Sequence, residues 1–105
     1  MNVSYTPALS HQEKELLGRV TQGLEEVLGG SRNLVTAAWD RREDEKGRPL
    51  YLLRLKDFTG DIQGKFAPDE LHSDTHLRVR LHQLWGDLLQ IRNHKLLEEL
   101  QGAGA

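Results

Sequence analysis

His72 and His76 stand four residues apart, with Asp69, Glu70 and Asp74 between or beside them. On a helix, histidines at i and i+4 share a face and can hold a divalent cation. These residues straddle an expected helix start, and the HExxH pattern is missing. Acidic side chains near a helix N-terminus already complement its dipole. Solvated side chains therefore account for the group without a metal. A small metal-dependent protein using His72 and His76 is the weakest of three readings.

The other chemistry-bearing stretches have simpler explanations. His72-Ser73-Asp74 holds triad residue types, but a triad converges in space, not in sequence. Ser73 is better placed as a helix cap. Asp57-Phe58-Thr59-Gly60 has Asp first and Gly last, the preference of a type I turn. Arg41 to Arg48 interleaves both signs around Glu43, Asp44 and Glu45, as a solvated hairpin tip does. No glycine-rich stretch has a phosphate-binding pattern. No catalytic residue, cofactor or metal ligand is assigned, and no hydrolase activity is expected.

Composition narrows the classes further. The 105 residues suffice for one domain. Lys and Arg number 14 against 16 Asp and Glu, a net charge of −2. A nucleic-acid binder driven by phosphate contacts usually shows a basic excess. Cysteine is absent, which removes disulfides, thiolate nucleophiles and Cys-ligated metals. No apolar run approaches the ~20 residues of a membrane span, and the first residues lack the apolar segment of a secretory leader. The expectation is a soluble cytoplasmic protein.

The elements that must position any surface follow from periodicity. Residues 1–9 carry little pattern and read as a flexible arm. Ser10-His11-Gln12-Glu13 is a capping box. Leu16, Leu17, Val20, Leu24, Val27 and Leu28 follow at helical spacing, and Gly29-Gly30 ends the helix. Leu34–Trp39, Leu50–Lys56 and Asp61–Phe66 read as strands. A last helix runs from Ser73 or Asp74 to about Gln101, with a possible break at Gly86 or Asn93, and residues 102–105 form a frayed tail. The fold class is α+β: order α-β-β-β-α, a three-stranded antiparallel meander with two helices on one face, over residues 10–101. That order is similar to double-stranded-RNA-binding domains. The start of the last helix here, Asp69 to Asp74, is acidic where phosphates would need a basic one.

Two surfaces stand out. Strand alternation puts Trp39, Tyr51, Leu53, Leu55, Ile62 and Phe66 inside. Arg54, Lys56 and Lys65 then face out, with Asp61, Leu50 and Leu52 beside them and Phe58 flanking. This face suits a protein or a phosphate backbone. On the last helix, Leu77, Leu81, Leu84, Leu88 and Ile91 form one stripe and Trp85, Leu89, Leu96 and Leu100 a second. The second stripe needs cover from the first helix or from another chain. The leading reading is a non-catalytic protein-interaction domain, adaptor or regulatory, that self-associates as a homodimer through this helix. A nucleic-acid-binding domain using the outer sheet face is the alternative. No membrane partner is expected.

Overall fold

Ser10 fixes where the first helix begins. Its hydroxyl accepts from the Glu13 amide at 3.1 Å, and Glu13 Oε1 accepts from the Ser10 amide at 2.9 Å. This reciprocal pair is the expected capping box. The helix, α1, runs His11–Leu28 and stops at Gly29, whose φ is 58°. That left-handed backbone suits glycine and strains other residues.

The computed structural model describes residues 1–103. After α1 the chain makes a 3-10 turn, Gly29–Leu34, and enters β2 (Thr36–Glu43), β3 (Pro49–Asp57) and β4 (Gly60–Phe66). These three pair antiparallel, as the meander requires. One further strand corrects the sequence reading. Asn2–Tyr5, expected in a flexible arm, forms β1 and pairs parallel with β2, Val3 opposite Ala37 and Tyr5 opposite Trp39. The fold is α+β with order β-α-β-β-β-α, and the sheet is four-stranded and mixed, in order β1-β2-β3-β4. The similarity in order to double-stranded-RNA-binding domains does not survive this added strand.

The inner sheet face follows the two-residue period. Trp39, Leu53, Leu55 and Phe66 are fully buried, Tyr51 is buried, and Ile62 packs on the core from its edge. Trp39 is tied down by polarity as well as packing. Its indole N–H donates to Thr21 Oγ1 at 2.9 Å, and that hydroxyl donates to the Leu17 carbonyl at 2.8 Å. A buried indole N–H without a partner would be costly, and here it has one.

The last helix, α2, spans Asp74–Ala103 without interruption. The sequence left open a break at Gly86 or Asn93, and neither residue interrupts the helix. A helical glycine costs only about 1 kcal/mol against alanine, and Leu84 and Leu88 on either side of Gly86 are buried. Of the residues read as a frayed tail, Gly102 and Ala103 continue the helix, and Gly104 and Ala105 lie outside the described residues. Both helices lie on the same sheet face, with Leu81, Leu84 and Leu88 of α2 buried in the core. Gly64 permits the close approach: a Cβ there would sit 2.9 Å from Leu84 Cδ2.

Thirty residues make a helix of about 45 Å, while the nine of β3 span about 30 Å. The helix therefore outruns its sheet. The molecule is 52 Å in its longest dimension and has a radius of gyration of 15.3 Å. A compact domain of this length would have one near 13 Å.

Candidate interaction surfaces

The outer sheet face is uncovered, and strand alternation places Arg54, Lys56 and Lys65 on it, all exposed. Its charge is largely compensated within the face. Arg54 Nε lies 3.2 Å from Asp61 Oδ2, and Arg42 Nε lies 2.9 Å from Asp40 Oδ2. Thr6 Oγ1 donates to Asp40 Oδ1 at 2.8 Å. The Thr6 hydrogen bond, then that from Arg42, holds the Asp40 carboxyl below its usual value. Of the four cations on this face, Lys56 and Lys65 make no ion pair among the described residues.

Two expectations for this face need correction. Leu52 points outward as expected but is only 8% exposed. Arg42, Arg54 and Gln63 border the shallow depression, about 240 Å³, in which it lies. Long charged side chains cover apolar surface with their stems while their heads stay wet. Leu52 therefore offers a partner little area. Phe58, expected to flank this face, has the Arg92 guanidinium 5.9 Å from its ring centre and so belongs to the helix side.

The second stripe of α2 divides in two. Trp85 is half-buried, packs on the core, and has the Arg92 guanidinium 5.3 Å from its ring centre. Leu89 is half-buried. Beyond Arg92 no described side chain of the helix is buried. Every residue from Asn93 to Gly102 is exposed, with Leu96 at 43%, Leu97 at 56% and Leu100 at 69%. Leu97 was absent from the sequence-derived stripe. Its place one residue after Leu96 puts it about 100° around the helix. Only the uncovered state of the whole turn makes it part of the patch.

The first helix covers the upstream part of α2. A Cβ at Gly23 would lie 3.9 Å from Leu81 Cδ1, and Glu26 Oε2 lies 3.9 Å from Arg78 Nη2. Positions ascending in α1 thus meet positions descending in α2, so the two helices run antiparallel. Their seam is incompletely filled. A groove of about 560 Å³ is lined by Val20, Gly23, Val27, Leu77 and Leu81, with Arg19, Arg78 and His82 exposed along it and Asp74 at one end. Sequence periodicity placed Val20, Val27, Leu77 and Leu81 on the apolar faces of their helices. It did not signal that the seam would stay open.

The histidine pair does not converge. His76 Nε2 lies 3.5 Å from Glu70 Oε2, and that carboxylate is already engaged by Arg80. His72 ends a 3-10 turn, Glu70–His72, and is exposed. Among the described residues no three His, Asp or Glu side chains gather as a metal site would need. Arg80 also lies over the Phe66 ring, 4.6 Å from its centre, so these charges close the edge of the core. No helix among the described residues is long and apolar enough to cross a membrane. No family model, no curated protein and no solved structure matches this chain.

Proposed function

We propose that the chain is a non-catalytic protein-interaction domain that associates with a second copy of itself through the free end of α2. The observation that carries this reading is the exposure of Leu96, Leu97 and Leu100 together on an uncovered stretch of helix. Burying one leucine is worth roughly 1.5–3 kcal/mol, so three left wet on one turn are a large unused driving force. Contiguous exposed apolar patches mark interaction sites, and closed twofold pairs are the commonest oligomers. The sequence is consistent with this division of α2. Past Ile91 the stripe that meets the sheet continues as Lys95, Glu98, Glu99 and Gly102, while the second stripe stays apolar at Leu96 and Leu100.

The outer sheet face supports the nucleic-acid alternative less well, because two of its four cations are neutralised in place. The reading keeps the cytoplasmic assignment made from the sequence. Analytical ultracentrifugation over a concentration series tests it. The wild type sediments as a dimer, and the double variant Leu96→Glu, Leu100→Glu as a folded monomer. A wild type that remains monomeric at high micromolar concentration overturns the reading.

A further inference from the structure

The chain carries an exposed apolar helix end and, between α1 and α2, a groove with apolar side chains along its floor. Resting on the self-association reading above, we propose that each answers the other. The free end of α2 in one copy lies in the α1–α2 groove of a second copy, and the two copies exchange their ends about a twofold axis.

Three observations lead to this pairing. The first is placement. At 3.6 residues per turn, Arg78, His82, Trp85, Leu89, Leu96 and Leu100 all fall within an arc of about 60° on α2. The groove and the free end therefore lie along one side of the same straight helix. Two such helices can pair antiparallel along that side. With Trp85 of one copy opposite Leu96 of the other, Leu81 meets Leu100 and His82 meets Glu99. The half-buried Trp85 and Leu89 are covered by the same contact.

The second is size. The α2 side of the groove spans Asp74 to His82, about 13 Å at helical rise. Residues 93–102, all exposed, span about 15 Å; in the register above, the end from Glu99 onward lies along the groove and Leu96 lies just beyond it, against Trp85. An apolar helix face laid in an apolar groove is a common mode of recognition.

The third is charge. Arg19, Arg78 and His82 stand along the groove, while the free end carries Glu98 and Glu99. In the register above, Glu99 stands opposite His82, with Arg78 one turn away, while Glu98 lies about 160° around the helix from Leu96 and faces away from the pairing side. Asp74 lies beyond the reach of the docked end. Reciprocal exchange also closes on itself, so no further copies are recruited.

The absence of natural cysteine makes single-thiol crosslinking unambiguous. Gly23→Cys adds a side chain in ordinary contact with Leu81, and Leu100→Cys lies on the exposed end. The two variants are mixed and treated with a short thiol-to-thiol crosslinker. The mixed 23–100 product is expected to predominate over the 100–100 product. Arg19→Cys with Leu97→Cys is a second pair with the same expectation, should Gly23→Cys fail to fold. In the otherwise native chain, His82→Glu weakens association about tenfold, and adding Glu99→Arg restores it. Predominance of the 100–100 product from a dimeric protein overturns the groove as acceptor and leaves self-association standing. A monomeric wild type overturns both.

Discussion

The Arg92 guanidinium meets the Asp57 carboxylate at the point where α2 leaves the sheet. Nη2 and Nε lie 2.8 Å and 3.1 Å from Asp57 Oδ2. The Asp57 side chain is fully buried and that of Arg92 is 16% exposed. Asp57 Oδ1 accepts from the Thr59 amide and hydroxyl, so the β3–β4 turn, the end of β3 and α2 are joined through one carboxylate. Arg92 is thus the last half-buried residue of α2 among the described residues, and the exposed end begins at the next one.

Removing one partner of a buried pair leaves an uncompensated charge, which is worse than removing both. Arg92→Met is therefore expected to destabilise by about 3 kcal/mol, and Asp57→Asn added to it to recover part of that loss. Urea denaturation of the wild type, single and double variants measures this. Burial by itself raises the Asp57 carboxyl, but hydrogen bonds from Thr59 and Arg92 outweigh it and hold the group below its ordinary value. A depressed carboxyl stabilises the fold above its unfolded value of about 3.9, and that contribution is lost as pH falls through the lower folded value. Without Arg92 the acid unfolding midpoint should move to higher pH. An unchanged midpoint would show that Thr59 alone holds the carboxylate.

Glu13 does more than cap α1. Tyr51 donates its hydroxyl proton to Glu13 Oε2 at 2.6 Å, and Arg41 Nε donates to the same oxygen at 3.0 Å. Burial, then the hydrogen bond to Glu13, pushes the Tyr51 phenol up to about 12. A raised phenol stabilises the fold below its unfolded value of about 10, and this is lost as pH rises toward the folded value. The stability of the wild type should therefore fall above about pH 10 by roughly 2–3 kcal/mol, while Tyr51→Phe removes most of that slope. Ultraviolet titration of tyrosinate should resolve one of the two tyrosines near that raised value. Ser10→Ala removes only the cap bond and should cost about 1 kcal/mol.

Sequence reading succeeded where the determinant was local and failed where it was distant. The capping box, the meander register and the inner face were legible because hydrogen bonding and the two-residue period act between near neighbours. β1 was not legible. Only Val3 and Tyr5 mark its inner face, and a parallel pair joined through a helix leaves no turn signal. The direction of Leu52 was legible and its burial was not, because its cover comes from neighbouring strands. Of the candidate site, the stripe Trp85, Leu89, Leu96 and Leu100 was legible. The open groove beside it was not, since it depends on how closely two helices approach.

Gly64 offers a test of that approach on the sheet side. A Cβ there would meet Leu84 at 2.9 Å, closer than a packed core allows. Leu84 must turn or α2 must lift, and overpacking of this kind costs about 1–3 kcal/mol. Gly64→Ala should lower thermal stability accordingly. Pairing Gly64→Ala with Leu84→Val should recover part of the loss, because the clash is with the leucine's terminal methyls. A stable single variant would show that α2 can shift without cost.

The two halves of α2 should respond in opposite ways to the same change. Leu88 is fully buried against the sheet, and Leu100 is 69% exposed at the end. Leu88→Ala removes core atoms and leaves a cavity, so it should destabilise by about 2–5 kcal/mol at every protein concentration. Leu100→Ala should shift the stability of the isolated chain by no more than about 0.5 kcal/mol, as for other exposed positions. Its effect should appear only where copies associate, because a ligand of the folded state, here a second copy, stabilises in proportion to its occupancy. The wild type should therefore melt at higher temperature as concentration rises, and Leu100→Ala should flatten that dependence while leaving the dilute melting temperature in place. Differential scanning calorimetry across a hundredfold concentration range separates the two. A wild-type melting temperature that is independent of concentration, with Leu100→Ala as costly as Leu88→Ala, would mean that the end of α2 is held within its own chain.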